Sequence, residues 1–114
     1  MAKNVLLPIP IATNQSLSAN FNSISTTVPY HDSISYQINI TTTDSTGAFY
    51  LQGSDDNINF ADTGNIINVN GANDTGLFSI QQWPFQYIRV RYNSTLAGTG
   101  TCNILLHARA LGGL

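Results

Sequence analysis

Charged residues are scarce in this chain of 114 residues, where they make up 9% of the sequence, against about one quarter of an average soluble domain. Glu is absent and the cations are one Lys and three Arg, so the formal net charge is -2. A nucleic-acid surface needs clustered Lys and Arg to displace counterions from phosphate, and no nucleic-acid partner is expected. Solubility must depend instead on thirteen Asn, twelve Thr, ten Ser and six Gln.

Long apolar runs and cysteine pairs are also missing. No stretch approaches the roughly 20 apolar residues that cross a membrane. The apolar segment 5–12 is interrupted by Pro8 and Pro10, which makes it a poor signal-peptide core. Cys102 is the single cysteine and cannot form an internal disulfide. We expect a protein that is made and folded in a cytoplasm, without membrane insertion.

The residue types that favour helices are equally few. Lys and Glu are nearly absent, whereas twelve Ile, twelve Thr, five Tyr and five Phe favour strands. Nine Gly and thirteen Asn supply turns. The composition therefore predicts an all-β protein, and the length suits one domain of roughly 100 residues.

Three segments, 34–40, 88–92 and 102–108, alternate apolar with other side chains as half-buried strands do. A further strand is expected from Leu17 onward. Turn residues recur about every ten positions, and those at 44–47 are expected to join two strands into a hairpin. Residues 16–114 are therefore predicted to form a single antiparallel β-sandwich or jelly roll of about 7–8 strands.

Residues 1–15 are predicted to form an extended N-terminal arm outside the packed sheets. Pro8 and Pro10 each remove a backbone donor and restrict the preceding residue to extended shapes. We expect the apolar arm to find a partner surface on its own domain or on a neighbouring subunit; the alternative is a disordered terminus. The apolar side chains of this assembly arm are Val5, Leu6, Leu7, Ile9 and Ile11.

A partial calcium-loop pattern occurs at Asp55, Asn57 and Asn59, because hard cations take oxygen ligands from alternate residues of a tight turn. The sixth position is Phe60 instead of Gly, and the twelfth is Ile66 instead of a bidentate Glu. Asp and Asn are also common in turns for conformational reasons. The pattern favours a structural turn, and we expect neither a metal nor another cofactor.

Catalytic patterns are not found in the sequence. His31 and Asp32 are adjacent, so in an extended segment they lie on opposite faces. No Gly-x-Ser-x-Gly nucleophile elbow occurs. The chain is therefore predicted to be non-enzymatic, with no catalytic residues.

Several aromatic and basic residues are candidates for contacts. Tyr30, Trp83 and Phe85 lie in or beside loops, where a ring can stack on a sugar or anchor a protein contact; the alternative is that Trp83 and Phe85 close one end of the core. Arg89 and Arg91 share a strand face. They are expected to pair with Asp residues of a neighbouring strand or to contact another subunit.

The segments 48–60 and 86–92 resemble discoidin-like sandwiches of the coagulation factor 5/8 C-terminal type. In that pattern a strand ends in a Ser-Asp turn, an aromatic follows, and a Tyr-Ile-Arg-Val strand comes later. The matching positions are Phe49, Leu51, Ser54, Asp55, Phe60, Tyr87, Arg89 and Val90. The resemblance implies a sandwich fold and a carbohydrate-binding module, although the flanking disulfide pair of the extracellular pattern is absent.

The same Ser-Asp turn, in a charge-poor chain rich in Asn and Thr with an apolar Pro-containing N-terminal segment, also resembles small structural proteins of bacteriophage virions. The Ala-Arg-Ala-Leu-Gly-Gly end adds to this resemblance. It implies a non-enzymatic capsid-decoration, vertex or tail-associated subunit, synthesised in the host cytoplasm and located in the virion. Its expected partners are copies of itself and other virion proteins. The alternative function is a discoidin-like carbohydrate-binding module.

Overall fold

The computed structural model describes residues 4–27, 33–81 and 85–110, and all regular secondary structure in these ranges is β-strand. The strands are β1 (Asn4–Ser16), β2 (Phe21–Asn22), β3 (Thr26–Thr27), β4 (Ser33–Thr41), β5 (Thr46–Ser54), β6 (Ala61–Asn70), β7 (Asp74–Gln81), β8 (Tyr87–Leu96) and β9 (Thr101–Ala110).

The strands form two antiparallel sheets. Sheet A has the order β1-β9-β4-β7, and sheet B has the order β2-β8-β5-β6, with β3 also paired to β8. The backbone amide of Ser23 donates to the Val90 carbonyl at 2.8 Å, and the Ser23 hydroxyl accepts from the Val90 amide at 2.9 Å. The segment between β2 and β3 is therefore also hydrogen-bonded to β8.

Counting β2 and β3 as one interrupted strand gives eight strands that pair first with last, second with seventh, third with sixth and fourth with fifth. This is the connectivity of a jelly roll with two Greek keys. The prediction of an all-β sandwich or jelly roll is confirmed.

The core lies between the sheets and follows the alternation in the sequence. Residues 34, 36, 38 and 40 of β4 are buried while their neighbours face outward, and β8 and β9 repeat the pattern. An aromatic cluster joins the sheet B strands: the rings of Phe49 and Tyr92 lie 4.7 Å apart, and Phe21 packs against both. Burial of this apolar surface is the main stabilising contribution.

The prediction of a hairpin around residues 44–47 is wrong. β4 lies in sheet A and β5 in sheet B, so residues 42–45 carry the chain from one sheet to the other. The turn chemistry is present, because the Thr42 hydroxyl accepts from the amides of Asp44 and Ser45. A turn motif shapes the local backbone only, and distant strand pairing decides which sheet the next strand joins. The hairpin forms one step later, between β5 and β6.

The N-terminal segment also differs from the prediction. In place of an arm outside the sheets, residues 4–16 form β1, which pairs with β9 along its length, and Ile11 and Ala12 pack against the core. β1 is an edge strand with register shifts on both sides of Ile9 and Pro10. Edge strands and bulges tolerate proline because a backbone donor is not needed there. The strand expected from Leu17 onward is instead a bend over 17–19, although Leu17 itself is fully buried.

Candidate functional site on the outer sheet faces

The outer face of sheet B carries the two candidate arginines. Tyr87, Arg89 and Arg91 alternate along β8 with buried residues, so all three side chains face away from the core. On the neighbouring strand β5, Tyr50 lies opposite Arg91 and Gln52 lies opposite Arg89. The shared strand face expected for the arginines is therefore present.

Arg89 is held by a relay of hydrogen bonds across three strands. Its Nε donates to Oε1 of Gln52 at 2.8 Å, and Nε2 of Gln52 donates to Oδ1 of Asp62 at 2.8 Å. Gln52 is only 5% exposed, so both ends of its amide are satisfied in a nearly dry position. Of the two alternatives predicted for Arg89, an Asp of a neighbouring strand or another subunit, the first is met only indirectly, because the Gln52 amide lies between Arg89 and Asp62.

Aromatic rings complete this group. The Arg89 guanidinium carbon lies 3.9 Å from the centroid of the Phe60 ring, and that of Arg91 lies 5.8 Å from the centroid of Tyr50. Burial lowers the pKa of Arg89, and the positive charge of Arg91 lowers it further. We call this set the arginine–aromatic patch: Tyr50, Gln52, Phe60, Asp62, Arg89 and Arg91.

The loop that was considered for calcium is organised around a different residue. The Asp56 carboxylate accepts from the amides of Ile58 and Asn59, from the Asn59 side chain and from the Ser54 hydroxyl. These donors hold the pKa of Asp56 well below its usual range, the Asn59 amide most of all. Asn57 has a left-handed backbone, with φ of 61°, which Asn tolerates better than most residues.

The three candidate ligands of that loop have separate partners. Asp55 accepts from the Gln86 amide, Asn57 accepts from the Ser25 hydroxyl, and the Asn59 side chain donates to Asp56. No group of three or more His, Cys, Asp or Glu that could hold a metal occurs within the described ranges. The loop positions Phe60, and therefore supports the arginine–aromatic patch.

The outer face of sheet A is polar and almost uncharged. Its central row runs across all four strands, from Leu77 through Gln37 and Leu105 to Pro10. Leu77 is 65% exposed. The flanking rows are Thr75, Asn39 and Asn103 on one side and Ser79, Ser35 and His107 on the other.

Hydrogen bonds order part of this face. Oδ1 of Asn39 accepts from Nε2 of Gln37 and from Oγ1 of Thr75, both at 3.2 Å. Oδ1 of Asn103 accepts from the backbone amide of Asn14 on β1 at 2.9 Å. Because the three rows contain no Asp, Lys or Arg, another surface can cover them without burying an ion.

Several of the remaining candidate residues fall outside the described part of the chain. Tyr30 and Trp83 lie outside the described residues, as do the side chains of Val5, Leu6 and Leu7. Phe85 and Ile11 are partly buried and pack against the core. An open depression of about 260 Å³ at one end of the sandwich is lined by uncharged residues: Thr41, Thr42, Thr43, Asn73, Thr99 and Gly100.

The comparisons with known proteins bear on the fold. The chain matches no protein-family model and no curated protein. Among solved structures it is similar to the SPBc2 prophage-derived protein YomS, with a TM-score of 0.62 and 6% identity over 96% of each chain. It shares its fold with a prophage protein. A second similar structure is a CBM4 protein, with a TM-score of 0.46 and 12% identity, over 88% of this chain and 64% of that one.

The described ranges contain strands and no helix, so no helix in them is long and apolar enough to cross a membrane.

Proposed function

We propose that this protein is a non-enzymatic structural subunit of a phage particle, a capsid-decoration, vertex or tail-associated protein that acts by binding other virion proteins and copies of itself. The observation that carries the proposal is the outer face of sheet A, whose three central rows contain no Asp, Lys or Arg. The sandwich fold shared with a prophage-derived protein supports it, and jelly rolls are common in viral capsids.

The chemistry of this face suits a broad interface. Burying an ionised group is costly unless it is paired, whereas a hydroxyl or amide needs only a hydrogen bond. Ser, Thr, Asn and Gln both donate and accept, so they adapt to different partner surfaces. The apolar members of the central row, Leu77, Leu105 and Pro10, contribute by losing water.

The β7 edge favours contact with a second copy. The opposite edge of sheet A, β1, contains Pro8 and Pro10 and three register shifts. β7 has eight consecutive register partners on β4 without a shift, and it contains neither proline nor lysine. Prolines, bulges and lysines are the usual protection of edge strands against pairing, so β7 is the edge available to another chain.

The test combines one substitution with a matched control. Leu77→Lys places a charge on β7 and on the central row, while Leu96→Lys places the same charge at an exposed leucine near the end of β8 in sheet B. In sedimentation velocity we expect the parent and Leu96→Lys to form the same oligomer and Leu77→Lys to dissociate.

A second experiment tests the location of the protein. In electron micrographs, antibodies against the chain should label intact phage particles from its source.

Two results would contradict this function. A parent that stays monomeric at high concentration and is absent from the labelled particles would remove the assembly role. Equal behaviour of the two lysine variants, with an oligomer retained, would move the interface away from sheet A.

A second candidate function is carbohydrate binding, and the arginine–aromatic patch favours it. Aromatic rings stack on sugar rings, and planar polar side chains bond their hydroxyls. A glycan array distinguishes the two functions, because an assembly subunit without a lectin role gives no specific hit. The two functions use opposite faces of the sandwich and do not exclude each other.

A further inference from the structure

Contacts within the domain hold the Arg89 side chain in place. Its Nε is taken by Gln52 and one face of its guanidinium lies on Phe60, so the side chain has lost much of its freedom. Among the described residues, no hydrogen bond involves Nη1 or Nη2 of Arg89. Those nitrogens form the end of a planar fork that matches a carboxylate in a bidentate manner.

The positive charge of the patch is concentrated. Two of the four cationic residues of the chain, Arg89 and Arg91, stand two positions apart on one strand face. Their contacts are with the Gln52 amide and with the rings of Phe60 and Tyr50. A ligand with one negative charge complements this pair.

The rest of the patch favours a sugar over a simple anion. The Tyr50 ring offers apolar contact for the C–H face of a pyranose. Oδ1 of Asp62 accepts from Gln52, and its second oxygen can accept from a sugar hydroxyl. Asp62 and the net charge of -2 also disfavour a polyanion such as nucleic acid.

We propose that the arginine–aromatic patch binds an acidic sugar, a uronic acid or sialic acid unit of a glycan. This inference rests on the second candidate function and names its ligand class. Arg89 and Arg91 bind the sugar carboxylate, the Tyr50 ring packs against the pyranose, and Asp62 accepts a hydroxyl. Since the patch lies on sheet B, it stays accessible when sheet A is covered by a partner.

The test is a titration of the full chain labelled with ¹⁵N and followed by NMR. The acidic probes are sialyllactose and a hyaluronan tetrasaccharide, and the comparison probes are lactose and inorganic phosphate. We expect saturable shifts of β5 and β8 amides with at least one acidic probe. Lactose and phosphate should leave these amides in place at the same concentrations.

Variants locate the site. Arg91→Gln and Arg89→Lys should each weaken binding of the acidic probe by about ten-fold or more, because the first removes a charge and the second keeps the charge but loses the fork. Arg109→Gln makes the same charge change on β9 of sheet A and should bind as the parent does. The NMR spectrum of each free variant shows whether it is folded, and Arg91→Gln keeps the Arg89 relay intact.

Each other outcome has a definite meaning. Equal binding of lactose and sialyllactose would overturn the acidic-sugar inference and leave the carbohydrate function standing. No shift with any sugar, and no hit on a glycan array, would overturn both. Equal shifts with phosphate would overturn the acidic sugar as the ligand. Unchanged affinity in Arg91→Gln and Arg89→Lys would overturn the arginine–aromatic patch as the site.

Discussion

Ile67 of β6 packs directly onto the backbone of Gly76 of β7, where the edges of the two sheets meet. A Cβ added at Gly76 would lie 2.7 Å from Cγ2 and 2.9 Å from Cδ1 of Ile67. The glycine therefore permits the edge of sheet A to approach sheet B. Ile67 is half-buried and packs against the core at this place.

Gly76→Ala should lower the free energy of unfolding by about 1–3 kcal/mol, because the new methyl group overpacks this contact. Ile67→Ala in the same chain should recover part of the loss, since it removes the atoms that clash. Urea unfolding of the two single variants and the double variant measures the coupling. Strictly additive losses would show that the contact does not limit the approach of the sheets.

Deleting residues 1–13 should destabilise the whole domain by more than about 3 kcal/mol or prevent cooperative unfolding. The deletion removes most of β1, exposes β9 and uncovers the core beside Ile11 and Ala12. Circular dichroism with urea unfolding is the measurement, with a chain lacking only residues 1–3 as the control. A truncated protein as stable as the parent would restore the interpretation of this segment as a separate arm.

Ile38→Ala should cost about 2–5 kcal/mol, the range for large-to-small changes in a core. Ile38 is fully buried at the centre of β4, whereas the adjacent Gln37 is exposed on the outer face. Gln37→Ala is therefore the control and should change stability by no more than about 0.5 kcal/mol. If the two variants unfold alike, the assigned facing of β4 is incorrect.

Acid should weaken the β5–β6 loop through Asp56. Its folded pKa lies below the unfolded value of 3.8, so the stability it contributes is present above that value and is lost as the pH falls through the folded pKa. Asp56→Asn should lower the melting temperature near neutral pH and flatten its decline in acid. Asp55→Asn alters one hydrogen bond, which Asp55 accepts from the Gln86 amide at 3.3 Å. It should therefore change the melting temperature at neutral pH and its decline in acid much less. Parallel acid profiles for the parent and Asp56→Asn would contradict this role.

Alkaline pH should lower the free energy of unfolding through Cys102, which is fully buried on β9. Burial raises the pKa of its thiol from 9.0 to about 12. Because the folded pKa is raised, the stability that the neutral thiol contributes is fully present below the unfolded pKa. This stability is lost as the pH rises toward the folded pKa, by up to about 1.4 kcal/mol per pH unit. Urea unfolding at about pH 8 and about pH 10 should show a smaller loss for Cys102→Ala than for the parent. An identical loss in both chains would assign the alkaline change to other groups.

Much of the fold was predictable because the pattern of a strand is local. Alternation over β4, β8 and β9 identifies the buried side chains without knowledge of their partners, since successive residues of a strand face opposite sides. The same alternation places Tyr87, Arg89 and Arg91 on one face. Scarce charge and abundant Asn and Thr likewise indicate a polar surface with little charge, which the outer face of sheet A displays.

The candidate site needed more than local pattern. Arg89 and Gln52 are 37 positions apart in the chain, and Gln52 and Asp62 are 10 apart. Nothing in the neighbourhood of Gln52 marks it as the middle of a relay. The usable signal was its alternation with the apolar Leu51, which puts Gln52 on the outer face of β5.

The sequence by itself determined that this protein is made of strands, which side chains those strands bury, and that its surface carries little charge. Only the tertiary structure decided that residues 42–45 cross between sheets, that residues 4–16 form an edge strand of sheet A, and that Arg89, Gln52 and Asp62 meet. The physical reason is range. Propensity and alternation act between adjacent residues, whereas strand order is set by the burial of a shared core and by backbone hydrogen bonds between segments distant in the chain.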